Sequence, residues 1–228
     1  MCPSSDRPSR ATLRQLTTPK AAALAGVVFA VLFSVVLVLI RTHMPETVGG
    51  SSEWLDDQGG GIATAAVLMP FAGISFLWFM GVVRDGFGRY EDRFFATVFL
   101  ASGVLFLAMT FVATAVAEGL VASNTGVTDP RVHLEVVNFG SMVLLAASKT
   151  FGIRMAAVFM MSLATIWLKT GLMPRWLVGL SYLVALALLI VSDFSLWVTL
   201  AFPVWALVVS GLILARSRHI EERRGAAA

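Results

Sequence analysis

Two basic side chains stand inside the fourth of six long apolar blocks of the sequence. Lys149 and Arg154 are the only charged residues between positions 139 and 168. A charge near the centre of a bilayer costs at least about 2.5–3.5 kcal/mol on insertion scales, so such a side chain usually contacts protein or water. The pattern indicates either a buried polar contact or a binding site for an anion.

Asp193 is the acid expected closest to these two cations. At 1.5 Å per residue, Arg154 lies about 22 Å and Lys149 about 30 Å along the helix from Lys169. Asp193 lies about 27 Å from Arg175, on the neighbouring antiparallel helix. We therefore predict a polar cluster in the outer half of the bundle, where Asp193 pairs with Arg154 or Lys149. Five residues at 100° each put the two cations about 140° apart, so one carboxylate does not fully serve both.

This cluster has two interpretations. The structural one is a salt bridge beside a lysine whose charge reaches the membrane interface. The functional one leaves surplus positive charge for an anionic headgroup or carboxylate, with aromatic residues of the second block lining a cavity for a lipid tail. Such aromatic residues more often serve as lipid-facing bulk and core packing. The candidate ligand-binding residues are Arg154, Lys149, Asp193, Phe71, Phe76 and Trp78.

Small residues recur every fourth position on the same block, at Ser148, Gly152 and Ala156. Such a row lets another helix backbone approach closely. It is typical of ordinary packing within a bundle, and the alternative is a dedicated dimer face.

Signals for catalysis or a cofactor are weak. The three histidines, His43, His133 and His219, lie outside the apolar blocks, which excludes a paired haem site within the membrane. Cys2 is the only cysteine, so neither an internal disulfide nor a thiolate metal cluster is possible. Acids of the outer connections with His133 would form a metal or catalytic site only if those connections converged. We predict no catalytic residue, no metal and no cofactor.

Composition explains why the blocks are read as membrane spans. Of 228 residues, 57% are apolar and 14% are charged, whereas a soluble domain carries roughly a quarter charged residues. About 20 residues of helix cross a hydrocarbon core of about 30 Å. The basic residues flank the blocks and form no patch or motif for nucleic acid, which is not an expected partner. The predicted spans are about 21–41, 62–83, 94–117, 139–168, 175–192 and 195–215.

Orientation follows from the distribution of Lys and Arg. Thirteen of these residues flank the spans on the side of both termini, and only Arg41 and Arg131 lie on the other side. Cytoplasmic segments are the ones enriched in Lys and Arg, so both termini are predicted to be cytoplasmic in a plasma-membrane protein. The fourth helix is expected to begin near Pro130, with Asp129 as its cap, and Gly171 to end it.

Two hairpins resemble those of uncharacterised multi-span bacterial membrane proteins common in actinobacteria. Residues 166–179, IWLKTGLMPRWLVG, resemble a stretch in which one helix ends in a basic-glycine turn and the next begins Pro-Arg-Trp-Leu. Residues 89–96, RYEDRFFA, resemble an inner loop of such proteins. The resemblance implies a six-span protein of no established activity, and it carries no catalytic residue over to this chain.

The fold class predicted is an all-α polytopic bundle of six helices in a single domain, residues 1–228. The preferred function is non-enzymatic binding or transport of an anionic amphiphile or lipid. An alternative is an accessory subunit that packs against a larger membrane complex, and another is a membrane enzyme acting on lipid-linked substrates. The expected partners are membrane lipids, with other membrane subunits or a second copy of the chain as further possibilities.

Overall fold

The computed structural model describes residues 18–43, 54–85, 93–123, 129–191 and 196–225, and these residues contain helices and no strand. Five helices are long and apolar enough to cross a membrane, and a sixth is shorter and apolar. The chain is therefore an all-helical protein of membrane character. Its helices are α1 (Thr18–His43), α2 (Trp54–Asp85), α3 (Arg93–Ser123), α4, α5 (Arg175–Val191) and α6 (Ala201–Gly225), with a 3-10 turn (Leu196–Leu200) leading into α6.

The fourth helix is one rod in three parts, namely Pro130–Leu145, a π-helical turn Ala146–Gly152, and Ile153–Thr170. We call the whole rod α4. It begins as the sequence predicts, because Asp129 is its N-cap and accepts a hydrogen bond from the backbone N–H of Arg131 at 2.9 Å. It ends at Gly171, whose φ of 65° favours glycine. Both predicted boundaries of this helix are confirmed.

Contacts between opposite termini show that α1 runs antiparallel to α6 and that α3 runs antiparallel to α4. The guanidinium of Arg41, at the end of α1, donates to the Thr199 hydroxyl just before α6 at 3.2 Å. The ammonium of Lys169, near the end of α4, lies 4.4 Å from the ring centroid of Phe95, near the start of α3. We call the end where α1 begins and α6 finishes the tail end, and the opposite end the far end.

The core is a cluster of aromatic rings contributed by α1, α2, α3, α4 and α6. Phe76 is fully buried and packs against several of them, with centroids 4.6 Å from Phe29 and 5.2 Å from Phe159. Because lipid is as apolar as these rings, helix association in a membrane depends on close packing and on interhelical hydrogen bonds. The buried aromatic residues of the cluster are Phe29, Phe33, Phe76, Phe79, Phe99, Phe106, Phe159, Phe202, Trp167 and Trp205.

Two hydrogen bonds connect α5 to its neighbours. The Thr165 hydroxyl of α4 and the Tyr182 hydroxyl of α5 are 2.7 Å apart. The Trp205 indole N–H of α6 donates to the buried Ser181 hydroxyl of α5 at 2.9 Å. These bonds set the height at which α5 packs against α4 and α6.

The helices differ greatly in length, so the far end of the bundle is stepped. The α5 helix has 17 residues and is about 25 Å long, whereas the apolar α4 stretch Arg131–Thr170 has 40 residues and is about 60 Å long. Beyond the main core, α2, α3 and α4 share a smaller core. Its buried residues are Ile62, Ala113, Ala117, Leu144 and Ala147.

Candidate functional site

The π turn of α4 contains one of the two predicted cations and lies next to the other. Its seven residues, Ala146–Gly152, include Lys149, and Arg154 follows two residues after the turn. The backbone N–H of Ile153 bonds to the carbonyl of Ser148, five residues back, instead of four. π turns inside α-helices are rare and frequently occur at functional sites.

The guanidinium of Arg154 reaches back toward the π turn. Its Nη1 donates to the backbone carbonyl of Thr150 at 3.0 Å. The charge of Arg154 therefore lies near the level of Thr150, the residue that follows Lys149. Both Lys149 and Arg154 are half-buried. The two charged groups therefore lie at the surface of the helical bundle, as expected for long side chains whose aliphatic stems are buried.

The hydrogen bond between Thr165 and Tyr182 fixes the register of α5 against Arg154. Eleven residues, about three turns, separate Arg154 from Thr165 toward the far end. Eleven residues after Tyr182 comes Asp193, and α5 is described as far as Val191. The far end of α5 thus stops close to the level of Arg154. Asp193 lies outside the described residues, so its pairing with Arg154 or Lys149 stays a prediction.

A third cation, Arg41, lies at the far end of α1. It is half-buried and its guanidinium donates to Thr199, which is buried at the start of α6. Sequence reasoning placed Arg41 in a connection and gave it no role. Its position just after an apolar block was the available signal, but that position does not reveal a contact with a helix more than 150 residues away.

The structure does not bring the three aromatic candidates of α2 together. Phe76 is fully buried in the aromatic core, whereas Phe71 is 58% and Trp78 is 70% exposed. In a protein of membrane character, the exposed side chains are positioned to face lipid. A role for these three residues in holding a ligand stays a prediction.

The row of small residues packs inside the molecule. A Cβ placed on Gly152 would lie 3.6 Å from the Met109 Cβ and 4.0 Å from the Thr110 Oγ1, both on α3. Ala156 is fully buried. At these positions the row serves helix packing between α4 and α3, the first of the two alternatives considered from the sequence.

His133 lies in the first turns of α4 with both ring nitrogens buried, and the described residues provide no hydrogen-bond partner for them. The side chains of the acidic residues 46–57 lie outside the described set, so their convergence with His133 stays a prediction. Within the described parts of the chain, no group of three His, Cys, Asp or Glu side chains is arranged to hold a metal ion.

The π turn is visible in the burial pattern of α4. The residues of α4 buried before the turn, such as Val137 and Leu144, follow an α-helical repeat. The residues buried after it, such as Ala156 and Phe159, follow the same repeat only if one residue is left out between the two sets. One extra residue in an otherwise regular apolar face is the mark of a π turn.

Comparison of the chain with family models, with curated proteins and with solved structures gives no match. The resemblance of the two hairpins to six-span actinobacterial membrane proteins therefore stays a prediction.

Proposed function

We propose that the chain crosses the plasma membrane six times with both termini in the cytoplasm, and that it binds an anionic amphiphile at its far, outer end. The distribution of Lys and Arg in the sequence supports the orientation, because thirteen of them flank the apolar blocks on the side of both termini and two lie on the other side. The shorter α5 helix is still about 25 Å long, which spans a bilayer with slight local thinning.

Heights along α4 support the location of the site. Taking Lys169 as the inner boundary, Arg154 lies about 22 Å and Lys149 about 30 Å toward the outside. The hydrocarbon core is about 30 Å thick, so these two charges lie where the outer acyl region meets the headgroups. Anionic headgroups occupy this level, and fatty tails lie directly below it.

The observation that carries the proposal is the pair of half-buried cations at the π turn of an otherwise apolar helix. Charged residues within spans are costly and usually mark a ligand or ion site or a polar contact. The α5 helix ends near the level of Arg154, whereas α4 continues outward past it, so both cations lie beside the step between these two helices.

The test is binding of phosphatidylglycerol to the purified protein in phosphatidylcholine nanodiscs, measured by native mass spectrometry. We expect Lys149→Gln and Arg154→Gln to weaken binding about tenfold or more, which corresponds to about 1.4 kcal/mol. Arg131→Gln is the matched control, because Arg131 is an exposed cation on the same helix. Unchanged binding in both site variants, with the fold intact, would refute the proposal.

The orientation is tested separately by labelling intact cells with a membrane-impermeant maleimide. In a Cys2→Ser background, Glu118→Cys on α3 should react from outside, whereas Asp85→Cys at the end of α2 should react only after permeabilisation. Both positions are exposed, so accessibility within the bundle does not explain a difference. Labelling of the Asp85→Cys protein in intact cells would reverse the proposed topology.

A second candidate, an accessory subunit of a larger membrane complex, is supported by the outer part of α4. Phe139 and Met142 are 71% and 56% exposed, and they lie about 15 Å and 10 Å beyond Lys149. Exposed apolar surface at this height would contact headgroups or water unless another chain covers it. The test compares assembly size on native gels after mild detergent extraction. A smaller assembly for Phe139→Asp than for the wild type would support this role. Phe151→Asp is the control and should leave the assembly size unchanged. Equal assembly sizes would count against it.

A further inference from the structure

We infer that the π turn brings Lys149 and Arg154 to one side of α4, where together they hold a single phosphate group of a lipid headgroup. This inference rests on the proposed function and specifies its ligand. It replaces the sequence-based expectation that the two cations diverge by about 140°.

The π turn changes the angle about the helix axis between the side chains of Lys149 and Arg154. An angle of about 140° between residues five apart assumes an α-helical ladder from i to i+4. The ladder here runs from i to i+5, as the bond from Ile153 to Ser148 shows. Each residue of a π turn rotates less about the axis, because nearly one more residue fits into each turn. Lys149 and Arg154 are separated mainly by such residues, so their side chains leave α4 closer together.

The side chain of Arg154 extends toward the level of Lys149. Its Nη1 lies 3.0 Å from the Thr150 carbonyl, so the guanidinium extends outward along α4 toward the level of Lys149. The side chain is thus oriented by the backbone of the π turn itself.

The two cations offer donors of different geometry. A guanidinium offers a planar fork of donors, and an ammonium offers a compact charge with three rotatable donors. The two non-bridging and two ester oxygens of a phosphodiester are arranged tetrahedrally, so they accept from both groups at once, whereas a carboxylate offers two oxygens in one plane. The height of Lys149, at the outer limit of the hydrocarbon, matches the headgroup region. A phosphodiester lipid of the outer leaflet fits these conditions.

The decisive measurement is the stoichiometry of phosphatidylglycerol bound to the full-length protein in phosphatidylcholine nanodiscs, by native mass spectrometry. We expect one phosphatidylglycerol per chain. Lys149→Gln and Arg154→Gln should each weaken that same binding event about tenfold or more, and the double variant should show none above background. Lys149→Arg keeps the positive charge and should bind the lipid as the wild type does. Arg131→Gln should leave binding unchanged. Melting temperatures identify any variant that fails to fold. If Lys149→Gln fails to fold, Lys149→Met replaces it as the variant that removes the charge.

The alternative outcomes separate this inference from the proposed function. Two bound lipids per chain, one lost in each single variant, would overturn the shared site while leaving anion binding in place. Absence of phosphatidylglycerol binding above background would overturn both. Oleate binding as tightly as phosphatidylglycerol would overturn the assignment to phosphate. Displacement of the lipid by millimolar inorganic phosphate would assign the site to free phosphate and overturn the lipid part.

Discussion

At the scale of single residues, the type of an apolar side chain in this molecule does not decide whether it lies in the core or on the lipid-facing surface. Phe76 and Trp78 are two positions apart on α2, yet one is fully buried and the other is 70% exposed. Hydropathy does not distinguish them, because a lipid-facing position and a core position are both apolar. Contacts between helices alone separate the two classes.

This difference predicts opposite effects of two similar truncations. Phe76→Ala leaves a cavity among aromatic rings, and we expect it to destabilise the protein by about 3–5 kcal/mol, as Phe→Ala changes do in protein cores. Trp78→Ala should change stability by less than about 1 kcal/mol, because the indole packs mainly against lipid. Unfolding in mixed micelles by added dodecyl sulfate measures both, and equal losses would show that Trp78 is also part of the packed core.

The register between α4 and α5 predicts an energetic coupling between Arg154 and Asp193. Arg154 lies about three turns beyond the hydrogen-bonded pair Thr165 and Tyr182, and Asp193 follows Tyr182 by the same eleven residues in the sequence. We expect Arg154→Gln and Asp193→Asn each to destabilise the protein, and the double variant to lose less than the sum by about 0.5–3 kcal/mol. Thermal unfolding of the four proteins in detergent gives the coupling. Strict additivity would show that the two charges do not interact.

At the scale of helices, α4 behaves as a regular helix that contains one additional residue. Its first part packs on α3 through Gly140, where a Cβ would lie 2.5 Å from Leu120, and its last part packs on α3 through Phe159, whose ring centroid lies 4.6 Å from that of Phe99. The π turn between them keeps both faces directed toward α3 despite the extra residue. Its role in the packing of α4 is therefore to preserve one continuous contact surface.

Removal of one residue from the π turn should consequently be tolerated. We expect deletion of Thr150 to restore an α-helical ladder and to change the free energy of unfolding by about 1 kcal/mol or less. Lys149 and Arg154 would then be four residues apart, on one face, so lipid binding should remain. Deletion of Val158, in the regular part of α4, should rotate one face away from α3 and prevent stable folding. Equal damage from both deletions, read by size-exclusion chromatography and melting temperature, would contradict this account.

The contact between α1 and α6 depends on a glycine. A Cβ on Gly26 would meet Oγ of the buried Ser210 and the ring of Phe79 at less than normal contact distance. We expect Gly26→Ala to destabilise the protein by about 1–3 kcal/mol, as overpacking does, and Ser210→Ala to recover part of that loss. Gly81→Ala is the matched control, because no atom lies within 4 Å of its added Cβ. A neutral Gly26→Ala variant in thermal unfolding would show that α1 and α6 separate at little cost.

At the scale of the whole molecule, unequal helix lengths produce two regions with different surroundings. The aromatic core joins α1, α2, α3, α4 and α6, while the smaller core beyond it joins only α2, α3 and α4. The cations Arg41, Lys149 and Arg154 all lie on the far-end side of the aromatic core, near the step between these regions. In the proposed orientation this step coincides with the outer headgroup level, which is why the anion site is assigned there.

The sequence by itself determined the all-helical membrane character, the limits of α4 at Asp129 and Gly171, and the presence of two unusual cations in one helix. These features follow from local chemistry, since the length of an apolar block, its capping residues and a charge within it can each be read from one segment of the sequence. Only the tertiary structure decided that Phe76 is in the core and Trp78 is not, that Gly152 packs on α3, and that a π turn contains Lys149 and ends two residues before Arg154. These depend on contacts between distant segments, and a surrounding solvent as apolar as the protein interior removes the hydropathy pattern that would have predicted them.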